Sequence, residues 1–505
     1  MNISIKSIIK DSSKFSGISN LRKLIQFPVT IVIASVLGPK DFGILAYAAI
    51  IIVYADCMKF AAMSTAYREM PALIKSGNIP RANEIKNLAF TIDFVTSIIV
   101  FLGLLIIALF HHNIIIRNII ILCSIGFLLL NFKKFIDVIN FSYLNYSLIA
   151  KGELILAVFE PILSLILIFL LRIYTQPIVS IIGCILIIIY FLKKKSYGFK
   201  FVFNKLESFR LAKIGLSLNV ATIISQLFFH TADRTIIALY FSKEMLGFYV
   251  FAFSIYLYIS SLFDDYLRVL QPSIWSISEN APSSQEGFYP LRKMAVYFSI
   301  FTSAIIGLAQ LAFILLVNYV IIKFNQSAWV FLILILYLFW GTQQGFSYFV
   351  LASSRINKQN IMNLFWAGAL LLNILLDLAA VKLGYGVVGI AYATTISQAI
   401  FTLSLYFISS GYLFYKMKDF LEFLKIIILP FFIPVVLTIF HWIGLKNLNP
   451  LVLTFFSLIL QGLLWFIIIR LFYKDYINKK VIFATAREVK NYLYNLIRRK
   501  LFKII

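Results

Sequence analysis

The feature that most constrains this chain is its series of unbroken apolar runs, each about 20 residues or longer, separated by short polar segments. A run of that length matches one helical crossing of the hydrocarbon core of a bilayer. Inside lipid every backbone polar group must be bonded internally, so only helices and closed barrels span it. Barrel strands alternate apolar and polar residues over about ten positions. No such alternation is seen here, and the chain is predicted to be all-α. Composition agrees: 61% of the 505 residues are hydrophobic and 13% charged, against about a quarter charged in soluble domains.

Spans are predicted at 18–37, 43–66, 88–110, 113–132, 154–172, 176–192, 211–239, 247–270, 294–318, 328–351, 360–380, 386–409, 425–443 and 450–472. Residues 133–153, between the fourth and fifth, are moderately apolar and either extend a helix or lie along the interface. The first run, preceded by Lys6, Lys10 and Lys14, has no small-residue cleavage site after it and is taken as a retained span. With the N-terminus inside, most of the 46 lysines and arginines fall on alternate, inner loops; the outer turns hold only Lys40, Arg172, Lys243, Lys323, Lys382 and Lys446. That alternation is the positive-inside pattern, and it predicts fourteen spans with both termini cytoplasmic. It also accounts for the net charge of +25 without nucleic acid as a partner, because the excess faces membrane lipids. The basic, amphipathic segments 1–14 and 474–505 suit anionic headgroups in the same way. Cys57, Cys123 and Cys184 all sit in apolar runs and suggest neither a disulfide framework nor a zinc site. His111 and His112 have no third ligand nearby, and no cofactor or metal is called for.

The first outer turn reads Gly38-Pro39-Lys40-Asp41-Phe42-Gly43, and the turn after the seventh span reads Ser242-Lys243-Glu244-Met245-Leu246-Gly247. Each has a Lys–acid pair, then glycine, then an aromatic-rich helix. Six spans separate the glycines, and an even number preserves orientation, so the halves are expected to be parallel repeats. The predicted organisation is an N-terminal lobe over 1–210 (spans 1–6), a second lobe over 211–415 (spans 7–12), and two additional spans with a basic tail over 416–505.

Leu37-Gly38-Pro39-Lys40-Asp41-Phe42-Gly43 resembles the L-G-P-x-x-[FY]-G turn of polysaccharide flippases. Asp233-Arg234-Thr235-Ile236-Ile237, followed by Leu246-Gly247-Phe248-Tyr249, is similar to the pattern that opens their second lobe. Gly386-Val387-Val388-Gly389-Ile390-Ala391-Tyr392-Ala393 is similar to the motif of their twelfth helix. The set resembles the Wzx-type O-antigen flippases, in the superfamily that also holds multidrug extruders and the lipid II flippase. The resemblance implies two six-helix lobes around a central cavity, alternating access, and a polyprenyl-diphosphate-linked oligosaccharide as substrate. It further implies a bacterial inner-membrane location and association with polysaccharide assembly proteins.

Ionisable residues inside spans are costly and point to function. Asp56 and Lys59 share one face of the second span, and Asp264, Asp265 and Arg268 cluster in the eighth. A diphosphate needs cations, and the planar fork of arginine suits phosphate oxygens. Lys59 and Arg268 are the leading candidates, with Arg22, Arg68 and Arg234 as further substrate contacts. Arg22 and Arg68 also fit a role as snorkelling anchors. Gln343 and Gln344, in a polar stretch of the tenth span, are candidates for sugar recognition or for helix packing. Asp56, Glu160 (beside Pro161), His230, Asp233, Asp264 and Asp265 are candidates for ion coupling; His230 and Asp233 are three apart and form a plausible relay. Asp93 and Asp377 stand alone near span ends and read as structural. A bend at Pro28 in the first span would serve access switching or packing. The competing functions are a cation-coupled multidrug extruder of the same superfamily and a membrane-embedded polysaccharide polymerase. The first often carries an acid in its first helix, absent from 18–37; the second calls for a sizeable outer loop, and every outer turn here is short.

Overall fold

The computed structural model describes residues 5–59, 62–143, 145–194, 198–227, 231–353 and 355–473. These form eighteen α-helices and, among the described residues, no strand. In chain order the first half holds α1 (Ile5–Cys57), α2 (Ala62–Lys75), α3 (Ile79–Leu109), α4 (Ile114–Ser142), α5 (Tyr146–Leu171) and α6 (Thr175–Lys194). Next come α7 (Lys205–Gln226), α8 (Ala232–Tyr240), α9 (Lys243–Asn280), the one-turn α10 (Ser284–Gly287), α11 (Tyr289–Leu315), α12 (Ser327–Leu334), α13 (Tyr337–Leu351), α14 (Gln359–Lys382) and α15 (Gly386–Leu413). The chain ends in α16 (Met417–Ile428), α17 (Phe432–Asn447) and α18 (Pro450–Phe472). The predicted basic tail, 474–505, lies outside the described residues.

Eleven segments are long and apolar enough to cross a membrane. Two of them, Leu21–Cys57 and Tyr146–Lys194, each hold two of the predicted spans, and α7 with α8 supplies another. Every predicted span therefore has a helical counterpart. Several boundaries differ. The second span ends at Cys57 rather than near residue 66, because the chain leaves the helix at Met58 and resumes as α2. The stretch 133–153 is helix at both ends, completing α4 and opening α5. The tenth span is split at Ile335–Leu336, where the bonds tighten to i→i+3, as in Leu338 N–H to Ile335 O at 3.1 Å.

Helix starts follow their capping residues. Asn113 accepts from the N–H groups of Ile115 and Ile116, Asn204 from Glu207, and Ser242 from Met245, which satisfies donors that a helix end leaves open. Within α1 the backbone breaks at Gly38 (φ 75°, ψ 172°), a conformation that L side chains rarely adopt. Ile33 and Val53, one on each arm, line one cavity; a straight helix would hold them about 30 Å apart.

The repeat seen in the sequence becomes a contact. A Cβ on Gly43 would stand 1.6 Å from the Lys243 carbonyl oxygen, and one on Gly247 would stand 1.8 Å from that of Pro39. Each glycine thus abuts the carbonyl four residues before the other, as a local two-fold axis between α1 and α9 requires. Phe42, Phe248, Phe251 and Phe324 pack around this point with ring centroids 4.5–6.1 Å apart. The largest buried cluster runs through the second half of the chain and takes in Ala34, Ala46 and Ile50 of α1, so the halves are joined at the Gly38 end. A second cluster joins α2–α6 of the first half to Leu211 of α7.

Candidate functional site

A polar cavity opens along the first arm of α1, between Arg22 and Ile33. It encloses about 300 Å³ and is lined by Arg22, Gln26 and Thr30 of α1, Glu160 of α5, Ser180 of α6 and Tyr258 of α9. Both halves of the chain contribute to its wall. It shares Thr30, Ile33, Gln176 and Ser180 with a second cavity of about 490 Å³ nearer the glycine pair, whose remaining lining is mostly apolar: Phe42, Leu45, Ile52, Val53, Phe127 and Leu130. The two form one graded space, polar at one end and apolar at the other.

Arg22 is the cation of the polar end. One guanidinium nitrogen meets Glu153 at 2.5 Å and the other meets Glu160 at 2.5 Å. Glu153 also pairs with Lys133 at 2.9 Å, and Lys133 with Asp137 at 3.1 Å. Arg22 Nε is buried without a hydrogen-bond partner. Across the cavity Thr30 and Tyr258 share a 2.8 Å hydrogen bond, and Phe27 meets the Tyr258 ring edge-on at 5.5 Å.

Lys59 lies just past the end of α1. Its ammonium contacts Asp56 at 2.8 Å, donates to Asn131 of α4, and sits 5.5 Å from the Phe127 ring centroid. Asp56 also meets Lys134 at 3.2 Å. Arg68 is exposed on α2 and lines neither cavity. Gln343 donates to the Ala295 carbonyl and accepts from Tyr406, while Gln344 accepts from Gln398. All are buried, so the two amides cross-link α13 to α11 and α15. Asp264 lies exposed on α9. His230 and the side chains of Asp265 and Arg268 lie outside the described residues.

A second constellation is buried in the other half. Asp233, at the start of α8, accepts from Tyr249 of α9, from Thr394 of α15 at 2.6 Å and from Asn373 of α14 at 2.6 Å. The same Asn373 amide approaches Asp377 at 3.3 Å. Two carboxylates thus share a buried pocket, and two of its acceptors, Asn373 Oδ1 and Asp377 Oδ1, have no donor. Buried like charges and orphaned acceptors are costly; a proton or small cation among these oxygens would relieve both. Arg234, next in sequence to Asp233, forms no ion pair among the described residues; its guanidinium lies 5.4 Å from the Phe253 ring centroid. Sequence reasoning set Asp377 aside as structural. The signal was its spacing from Asn373, four residues and hence one helical face, opposite Thr394, which directly follows the Gly386–Ala393 motif.

Outside the apolar runs, the start of α7 is tied to α2 by ions. Arg210 chelates Glu69 through two nitrogens at 2.8 and 3.0 Å, and Glu207 pairs with Arg210 at 2.8 Å and Arg81 at 2.7 Å. Hydrogen bonds from Arg210 and then Arg81 hold the Glu207 carboxyl below the usual carboxylate range.

A family model described as polysaccharide biosynthesis protein matches residues 32–320. Among curated proteins, none matches the sequence. Similar solved structures include the lipid II flippase MurJ in an inward closed conformation, at 18% identity over 92% of this chain and 99% of that one, with a TM-score of 0.66. Others are an inward-facing multidrug resistance MATE family transporter of the MOP superfamily (12% identity, 78% and 94% covered, TM-score 0.56) and a Vibrio cholerae MATE transporter, VcmN, in mutant form (14%, 82% and 98%, TM-score 0.50). At these identities the likeness is one of fold.

Proposed function

The chain belongs to the polysaccharide biosynthesis protein family, and from that premise we propose that it flips polyprenyl-diphosphate-linked oligosaccharide repeat units, of the O-antigen type, across a bacterial inner membrane by alternating access. The observation that carries this reading is the graded cavity in the first half, closed on one side by Val250 and Tyr258 of α9, with a guanidinium at its polar mouth and an apolar inner reach. Under the positive-inside orientation that mouth faces the cytoplasm and the Gly43–Gly247 contact closes the periplasmic side. The lobes are then 1–210 and 211–415, with 416–505 as an added unit.

Arg22 is the residue assigned first contact with the diphosphate. It is held by two carboxylates, and a diphosphate offers comparable charge with the geometry that a guanidinium fork prefers. Exchange of partners would free Glu153 and Glu160 and loosen α1 from α5. Gln26, Thr30, Gln176 and Ser180 supply donors and acceptors for sugar hydroxyls, and the tail stays in lipid. Lys59, paired with a single near carboxylate, and Arg268 are secondary contacts. Coupling is assigned to Asp233, Asn373, Asp377 and Thr394, whose oxygens suit a proton or small monovalent cation.

The test is genetic and chemical. Deletion of the gene should leave lipid-linked repeat units accumulated on the cytoplasmic face, with surface polysaccharide restored by the wild-type gene and not by R22Q. Unchanged surface polysaccharide in the deletion strain, or full restoration by R22Q, would sink the proposal. The apolar volume favours one second reading, a drug extruder, because about 490 Å³ is the size of a small-molecule site. Altered drug resistance in the deletion strain with normal polysaccharide would select it. Transport in proteoliposomes under a sodium or a pH gradient identifies the coupling ion, and D377N should remove the response to either.

A further inference from the structure

Away from the graded cavity, a separate hollow of about 590 Å³ lies between the first turns of α11 and α16. On the α11 side it presents Arg292 and Lys293, and on the α16 side Asp419 and Glu422. Charges of both signs line one space, yet among the described residues none of the four forms an ion pair with another within 4 Å. Charged neighbours with freedom to meet usually do so; here each cation is held elsewhere. Arg292 is stacked 4.9 Å from the ring centroids of both Tyr289 and Phe414 and donates to the Gln285 carbonyl at 3.4 Å. Lys293 lies 4.8 Å from the Tyr289 centroid. The Arg292 Nε is buried and has no acceptor. One wall thus carries a buried donor, Arg292 Nε, without an acceptor, and the facing wall carries two carboxylates with no cation within 4 Å among the described residues, although Arg292 and Asp419 attract across the gap.

The hollow continues between Val296, Phe423 and Ile426, one turn further along each helix and therefore deeper in the apolar layer. A ligand that fits must carry an anion and a hydrogen-bonding cation a few atoms apart, with an apolar tail on the same molecule. We propose that this hollow is a binding site for a zwitterionic phospholipid bearing a primary amine, that is, a phosphatidylethanolamine. Its phosphate meets Arg292 and Lys293, its ammonium meets Asp419 and Glu422, and its first acyl carbons lie along Val296, Phe423 and Ile426. A primary ammonium has three donors to share between two carboxylates. A quaternary choline has none, and a phosphatidylglycerol brings no cation to the acidic wall. The site is independent of the substrate proposed above, since it lies on different helices and serves lipid that is not transported.

The test uses the full-length protein in detergent, offered equal amounts of phosphatidylethanolamine, phosphatidylcholine and phosphatidylglycerol. Retained lipid is counted by native mass spectrometry. The wild type should retain the ethanolamine lipid over each of the others by about fivefold, the upper worth of one partly exposed ion pair. In D419N/E422Q that preference should fall to near parity, with phosphatidylglycerol gaining. R292Q/K293Q should lower retention of all phospholipids, and a thermal melt of each variant separates lost binding from lost folding. Soluble phosphoethanolamine should not displace the lipid at millimolar levels; displacement would assign the site to the free headgroup instead. Equal retention of the three lipids by the wild type, or an unchanged ratio in D419N/E422Q, would overturn the proposal. A flipping assay is not involved, so either proposal can fail without the other.

Discussion

The glycine pair between α1 and α9 allows the sharpest quantitative test. An alanine Cβ at position 43 would stand 1.6 Å from the Lys243 carbonyl oxygen, and one at 247 would stand 1.8 Å from that of Pro39. Ordinary contact between such atoms needs about 3.5 Å, so each substitution drives the two backbones apart by roughly 1.5–2 Å. The obstacle is main chain in both cases, and no side-chain rotamer can relieve it. Overpacking of this kind costs about 1–3 kcal/mol, against which alanine returns up to about 1 kcal/mol in helix propensity. A net cost near 1.4 kcal/mol moves the equilibrium between closed and open forms of this end about tenfold toward open. The assay is the distance between spin labels on K40C and E244C, read by pulsed electron resonance in lipid. G43A and G247A should each shift weight to a longer distance. The double variant should add little, because the first substitution has already separated the contact that the second would break. G103A is the control, since a Cβ there meets nothing within 4 Å. Distance distributions in G43A and G247A that match the wild type would refute the claim that this contact closes the space between the halves.

Three further outcomes are expected. R22Q leaves Glu153 and Glu160 without their shared cation; breaking a fully buried pair costs about 3–5 kcal/mol, and with these side chains 16–24% exposed a loss of about 1–3 kcal/mol in a denaturation assay is expected, with R22K recovering part of it. Glu207 is held below its unfolded value by Arg210 and Arg81, so its contribution is present above the ordinary glutamate range, about pH 4.3, and is lost as pH falls through the lower folded value. A melting curve should show less acid sensitivity in E207Q than in the wild type. Y249F keeps the ring and removes the donor to Asp233, so transport should become less dependent on the ion gradient and stability should fall by about 1–3 kcal/mol for the buried bond lost; unaltered ion dependence counts against the coupling assignment.

The bundle was legible because lipid leaves so few choices: each predicted span has a helix, and the alternation of charge located the turns. The glycine pair was legible as well, since Gly43 and Gly247 are small where two backbones touch, and that demand is written into the sequence. Boundaries were less so. The second span reads as apolar to residue 66, yet the chain leaves the helix at Met58 and α2 begins at Ala62. Contacts between distant helices were not legible. Gln343 and Gln344 stand in a polar stretch that fits a binding wall, but their amides are bonded to Ala295, Tyr406 and Gln398 in helix packing. Arg22 read equally well as a snorkelling anchor, because its partners Glu153 and Glu160 are more than a hundred residues away. Asp377 stood alone in sequence and gained its meaning only when α8 and α14 brought it beside Asp233.

One helix links these features. Within α9, Gly247 touches Pro39 at the closed end, Tyr249 donates to Asp233 two residues later, and Tyr258 bonds to Thr30 in the cavity wall. Gly247 and Tyr258 are about 16 Å apart along a continuous helix, which is stiff over that length. The glycine contact leaves no room for sliding, so α9 can separate from α1 only as a unit, and the Tyr249–Asp233 bond limits how far its first turns can move. Binding of a cation or proton at Asp233 competes for the oxygen that Tyr249 uses. The energies are comparable: a hydrogen bond to a charged acceptor is worth about 1.5–3 kcal/mol, close to the overpacking cost by which alanine would open the glycine pair. A switch of that size moves a two-state equilibrium by one to two orders of magnitude, which under the proposed coupling would be enough for an ion to bias which end of the cavity is open. The same helix carries Thr30's partner, so a change at either end reaches the wall that a substrate would touch.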